Sequence, residues 1–420
     1  MRLRVSAVVL LGLTGCQQVE SPCCMDGDVT SPGGAHLTYE YALETSAPLL
    51  PATWRGEDDE HVGEQLFFRD WLGTGAAPLA GPDYDRSSCD ACHIETSSRP
   101  SRNAESFLVA LPADLEGRHR FGAQITRRHS LGEGPEAVVL VDYVTHQFVY
   151  PDGAARQLRQ PVARAESGGE PVPVRLRAAS LLFGWGLLEH VDEEMLLNFD
   201  DPNDRNGDGI SGTARWVRDE ETATTRLGRF GWKSTHPSLR QQIATALFND
   251  MGVTSSLRCE QPNCIPEMAA EELAALAEYV GALGVPNRRE DFSIEGEILF
   301  GTVGCSDCHV PALVTKTTGP RQIADQLIWA YTDLMLHDMG EALAEPGDAE
   351  DSREWRTAPL WGIGLVEVHL TAHGFLHDGR AKTIEDAVLW HGGEAEGAKL
   401  RFTRLRAEQR EALLGYVRAL

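Results

Sequence analysis

The chain is short of positive charge. Its 38 Lys and Arg face 63 Asp and Glu, for a formal net charge of −25. A nucleic-acid partner wants a basic face, so this deficit argues against one. Long apolar runs are also missing. Beyond the first residues no segment is long and apolar enough to span a bilayer. Strand signals are sparse; the best is AVVLVDYVTHQFVYPDG, 137–153, with a turn at Asp152-Gly153. Cysteine, by contrast, is present nine times, in positions too irregular for a plain disulfide scaffold.

The start reads as a targeting signal. Arg2 and Arg4 precede an apolar run from Val5 to Leu13, which ends in LTGC, the form of a bacterial lipobox. Residues 1–15 are then a lipoprotein signal peptide, and Cys16 carries the lipid. Several acyl chains on one cysteine make a firm anchor without a transmembrane helix. Gln17 after the cysteine favours the outer membrane, so the expected location is the periplasmic face of the envelope. An ordinary secretory signal with a chance cysteine is the alternative. Residues 16–50 read as a flexible tether rich in Ser, Pro, Gly and Thr. Cys23 and Cys24 lie within it and receive no role.

Repetition organises the rest. GEQLFF at 63–68 resembles GEILFG at 296–301, and each precedes a CxxCH, CDACH at 89–93 and CSDCH at 305–309. LLFGWGLLE at 181–189 resembles PLWGIGLVE at 359–367, in the same order. A duplicated unit follows, with the larger insertion in the first half. AAEELAALAEYVGALGVP, 269–286, has helical spacing and ends at a proline and a charged stretch. The boundary is therefore expected after 286, with domains at 51–286 and 287–420. EQREALLGYVRAL at 408–420 is a second amphipathic helix. The expected fold is mainly α, with two cytochrome c-like haem domains, long loops and a few short strands.

A CxxCH pentapeptide can hold a c-type haem. Its thiols reach the two vinyl groups of one porphyrin, and the adjacent histidine reaches the iron. Cys89, Cys92 and His93 would hold one haem and Cys305, Cys308 and His309 another, with His93 and His309 as proximal iron ligands. A zinc site would need two CxxC pairs meeting, and a redox dithiol needs no following histidine.

TIEDAVLWHGG, 383–393, reads as a short helix. Thr383 caps it, Asp386 closes a capping box, and Gly392 is expected in a left-handed turn. His391 stands at its end, as a distal haem ligand or as a solvent-facing histidine favoured by the helix dipole. DPNDRNGDGISG, 201–212, matches the first half of an EF-hand loop through Asp204, Asn206 and Asp208. Its twelfth position is Arg215 rather than Glu, and Asp200 or Asp201 could supply the missing charge. The expected ion is Ca2+; the alternative is a solvated acidic turn. Cys259 and Cys264 are expected to form a local disulfide in an oxidising compartment.

SSCDACH, DRNGDGISG, FGWK, GCSDCH, LMLHDMG, EWRTAPLWGIG, FLHDGRAKTIEDAV and WHGGEA together resemble the bacterial di-haem oxidoreductase family, from about residue 55 onward. That family also carries peroxidase and thiol-oxidoreductase names. A more distant resemblance is to di-haem cytochrome c peroxidases and the related tryptophylquinone-forming enzyme. It implies that His391 falls where those relatives place the second haem's distal Met or Tyr. Met339 is the second choice and His337 the third. It also implies a calcium between the domains. For the first haem, His119, His129, His146 and His190 are candidate exchangeable ligands, and each is equally an ordinary histidine. Glu189 is the candidate acid/base group for peroxide, with a structural cap or pair as its alternative; Glu193 and Glu194 stand behind it. His377, Asp378 and Gly379 are expected in the wall of the second haem site. Trp185 and Trp361 are expected in the core, with electron hopping as the other reading.

The resemblance implies peroxide reduction at the first haem, fed by the second, with electrons from a small cytochrome or a cupredoxin. The competing expectation is an electron carrier with both irons closed. A partner-dependent role in metal handling is a third.

Overall fold

The computed structural model describes residues 33, 38–39, 59–71, 83–84, 86–93, 108–126, 128–129, 135–259, 263–289, 293–320, 323–347, 351–369 and 374–420. The lipobox, Cys16, Cys23, Cys24 and nearly all of the proposed tether lie outside the described residues. No described helix is long and apolar enough to cross a membrane.

Eight helices matter here: α1 (Asp59–Phe68), α2 (Trp185–His190), α3 (Leu239–Met251), α4 (Ala270–Gly281), α5 (Ile294–Val303), α6 (Ile363–His369), α7 (Ile384–Trp390) and α8 (Ala407–Ala419). The duplication read from short strings is a duplication of packing. In the first half α1 lies on α4, so close that a Cβ on Gly63 would stand 2.2 Å from the Ala275 carbonyl oxygen. In the second half α5 lies on α8, and a Cβ on Gly296 would stand 2.1 Å from the Ala412 oxygen. Phe67 meets Tyr279 at 5.4 Å and 51°; Phe300 meets Tyr416 at 5.4 Å and 53°. Each such pair adds about 0.5–1.5 kcal/mol beyond its buried area. Gly184 and Gly362 hold the fourth position of the second repeated string with φ of 64° and 67°, a conformation open to glycine at little cost.

The expectation of a mainly α protein is overturned. Among the described residues 34% are helical and 22% are strand, spread over several sheets, and no cytochrome-like fold is shown. The first half's insertion is largely β. Strand β1 (Leu108–Pro112), β2 (Val138–Val149), β3 (Ala155–Ser167), β4 (Glu170–Val172) and β5 (Val174–Ala178) form two small sheets. β2, β3 and β4 pair in that order, and β1 pairs antiparallel with β5. β3 eluded the sequence reading because its polar run ARQLRQPVARAES shows no simple alternation: the hairpin is a projecting arm with much of both faces exposed.

Two apolar cores result. One gathers first-half residues around Leu187, Leu276 and Phe230, yet takes in Leu313, Ile328 and Trp361 from beyond residue 286. The other centres on Phe300, Phe402 and Leu413 and takes in Tyr150 and Leu158 from the hairpin tip. Each half thus completes the core of the other.

Candidate functional site

Both CxxCH strings adopt the same tight turn. Cys89–Ala91 and Cys305–Asp307 are single 3-10 turns, ending at Cys92 and Cys308 with φ, ψ of −107°, −38° and −110°, −43°. The backbone N–H of His93 donates to the Cys89 carbonyl at 3.0 Å, and that of His309 to Cys305 at 2.9 Å. In the second motif the turn brings Cys305, Cys308 and His309 to one cavity.

The histidine rings are fixed alike. His93 donates from Nδ1 to the Ser180 carbonyl at 3.0 Å, and His309 from Nδ1 to the Tyr331 carbonyl at 3.0 Å. A carbonyl only accepts, so Nδ1 carries the proton and the lone pair sits on Nε2. That tautomer is the one a metal ligand needs. Burial pushes His309 down to about 4, which keeps it neutral.

His391 shares this arrangement. It ends α7, and its Nδ1 donates to the Ala387 carbonyl at 2.6 Å, leaving Nε2 as the acceptor. Burial lowers its pKa too. Thr383 caps α7 as expected, accepting from Asp386 N at 3.0 Å, while the Asp386 carboxylate reaches back to Lys382 N. The left-handed turn falls one residue later than expected. Gly392 is extended at φ −153°, and Gly393 takes φ 54°. A Cβ on Gly393 would stand 2.0 Å from the Asp338 oxygen, so that position also needs glycine for space.

Cys305, Cys308, His309 and His391 all line one cavity of about 270 Å³. Its walls are apolar, built from residues such as Phe300, Trp361, Phe375 and Leu413, with His377 and Met339 among them. Neither CxxCH cysteine pair forms a disulfide; Cys259 and Cys264 do, as expected. Burial raises Cys89 and Cys308 and pushes Cys305 up to about 12. Such thiols are neutral, unlike the thiolates of a redox dithiol. The two CxxC pairs do not meet, so a shared zinc site is excluded. Two thiols and two Nε2 lone pairs on an apolar cavity fit a covalently held haem.

His337 is committed elsewhere. Its Nδ1 donates to Glu394 Oε2 at 2.8 Å and its Nε2 to Asp333 Oδ2 at 3.0 Å. Burial opposes its charge, but the two carboxylates and Cys308 prevail and push it up to about 12. With both nitrogens donating, it offers no lone pair to iron. Glu394 also accepts from Ser211 N and Oγ, which ties the 201–212 loop to this site. Sequence reasoning missed Asp333 and Glu394, because their partners are distant in the chain.

In that loop Asp204 accepts from Gly209 N, Asp208 from Ile210 N and Asn206 Nδ2, and Asp201 from Arg205. Among the described residues the one cluster of three ligand-type side chains is Cys308, Asp333 and His337. Asp204, Asn206 and Asp208 thus hydrogen-bond within their own turn.

Of the candidates for the first haem, Glu189 accepts from Leu239 N at 2.7 Å, at the start of α3. Glu193 lies 3.9 Å from Arg229, and Glu194 is exposed. His190 donates from Nδ1 to the Gly186 carbonyl at 2.9 Å, four residues back, as His391 does to Ala387. His119 is exposed, and His146 pairs with Gln160 on the arm at 2.9 Å. Ser180, which holds His93, itself lines the second cavity, so the two CxxCH sites share a wall segment. Trp185 and Trp361 are both buried and line that cavity; Trp361 lies against Gly184.

The sequence model of one family, described as "Di-haem oxidoreductase, putative peroxidase", matches residues 118–267 and 258–420. No curated relative matches the chain.

Proposed function

Because the chain belongs to the di-haem oxidoreductase family, we propose that its two haems are c-type haems bound at the two CxxCH motifs. Cys89 and Cys92 would hold the first and Cys305 and Cys308 the second, with His93 and His309 as proximal ligands. His391 is the distal ligand of the second, and Met339, on the same cavity wall, is the competitor. The observation that carries this reading is the convergence of Cys305, Cys308, His309 and His391 on one apolar cavity, both rings fixed through Nδ1.

The activity proposed is reduction of peroxide at the first site. Hydrogen peroxide takes two electrons and two protons and yields two waters. The haems supply the electron transfer, drawing on a small cytochrome or a cupredoxin. Glu189 is the group proposed to move a proton between the peroxide oxygens; its bond to Leu239 N fixes the direction of the carboxylate. The shared segment at Ser180 gives a short covalent and hydrogen-bonded route between the two sites. Attachment to the outer membrane through Cys16, and Ca2+ at Asp204, Asn206 and Asp208, belong to the same proposal. Calcium would compete with the loop's internal hydrogen bonds, and a calcium titration without uptake removes it.

Low-temperature EPR of the oxidised and half-reduced protein tests the activity. A high-spin signal from one haem, followed by peroxide turnover, supports it. Two low-spin haems in both states make the protein an electron carrier instead.

A further inference from the structure

Arg356 is buried, 7% exposed, and lines the second cavity. Its guanidinium donates from Nε to the Gly231 carbonyl at 2.9 Å and from Nη1 to the Thr357 carbonyl at 3.2 Å. Those acceptors are neutral. Of the four other buried arginines, Arg229 has Glu193 at 3.9 Å, Arg380 has Asp378 at 2.7 Å and Arg410 has Asp152 at 2.7 Å, while Arg288 lies over the Tyr416 ring at 4.8 Å. Arg356 has no carboxylate within ion-pair distance among the described residues, and its Nη2 bonds to none of them. Burial holds its pKa down to about 10, with the Asp333 carboxylate offsetting part of that cost from a distance. Asp333 is itself engaged by His337 and the Met335 N–H.

A buried cation on a cavity wall without a counter-charge is expensive, and a ligand that brings an anion offsets that cost. The other cations on this wall are accounted for. Lys399 pairs with Glu396. Arg401 donates to the Val303 carbonyl and crowds Gly304 together with Asp307, beside Cys305. That is the edge where thioethers form. A c-type haem is attached by its vinyl edge and carries two carboxylates, its propionates, on the opposite edge.

We infer that Arg356 is the propionate anchor of the second haem, closing its guanidinium fork on one carboxylate. The inference rests on the proposal that a haem occupies this cavity. A fork of parallel N–H donors matches a carboxylate and fixes the plane of the group that carries it. Arg356 thereby acts as a positioning residue, and it places a positive charge near the iron that favours the ferrous state.

The test is resonance Raman spectroscopy of the purified di-haem protein, with potentiometry of each haem. Mass spectrometry of the peptide containing Cys305 and Cys308 comes first, because absence of haem there would sink the occupancy proposal rather than this one. With haem attached, Arg356→Gln should move one propionate-bending band to lower wavenumber and lower the second haem's potential. Arg356→Lys, which keeps the cation but not the fork, should shift the band and spare most of the potential. Bands and potentials unchanged in Arg356→Gln overturn the inference. If that variant does not fold, the unaltered protein decides. A second-haem propionate band at the position of a strongly hydrogen-bonded carboxylate supports the anchor, and a band at the unbonded position overturns it.

Discussion

The Tyr150 hydroxyl donates to Glu385 Oε1 at 2.6 Å across 235 residues of chain, in a buried contact between the hairpin tip and the helix that ends in His391. Arg156 pairs with the other oxygen of Glu385. Arg159 donates to the Gly379 and Arg380 carbonyls at 2.8 and 3.0 Å, and His146 meets Trp390 edge-on at 5.8 Å. An arm of the first half therefore grips the proposed ligand helix of the second.

Tyr150→Phe leaves a buried carboxylate short of one donor and should cost about 1–2 kcal/mol. Because the lost bond bears on α7, the EPR signal of the second haem should broaden or split while that of the first stays fixed. Urea unfolding and EPR on the same sample check both effects. A stability loss with an unchanged second-haem signal would make the arm a fold element only.

His391→Ala should convert the second haem from low-spin to high-spin, with a matching change in its visible spectrum, while both haems stay attached. An unaltered second-haem spectrum passes the assignment to Met339, and Met339→Ala then becomes the informative variant.

Glu189 can be separated into cap and acid. Glu189→Gln keeps an oxygen that accepts from Leu239 N, so stability should hold while peroxide turnover falls sharply. Glu189→Ala removes the acceptor as well and should cost about 1–3 kcal/mol. Full turnover in Glu189→Gln would leave it only the capping role.

His337 predicts a pH signature. Its folded pKa is raised from 6.5 to about 12. Its stabilising contribution is therefore fully present below about pH 6.5 and is lost as pH rises towards 12. The stability gap between the unaltered protein and His337→Gln should be widest in mild acid and narrow steadily into alkali. A gap that widens with pH would contradict an imidazolium held between Asp333 and Glu394.

The motifs carried the cofactor reading because CxxCH is local chemistry: five consecutive residues hold the thiols and the imidazole, whatever surrounds them. The duplication was legible for a similar reason. Gly63 and Gly296 recur because each must admit a helix backbone at the same point. Its second component, EYVGAL against GYVRAL, is short and becomes plain only in the packing, where Tyr279 and Tyr416 occupy equivalent places against Phe67 and Phe300.

By itself the sequence determined the two CxxCH turns, the cap at Thr383, the Cys259–Cys264 disulfide and the family. All of these depend on residues a few positions apart, or on their order. Tertiary structure decided the β content of the insertion, the crossing of both cores by the opposite half, the capture of His337 by Asp333 and Glu394, and the burial of Arg356 without a carboxylate. Those outcomes depend on which distant groups share a low-dielectric space, and the order of residues along a chain does not state that.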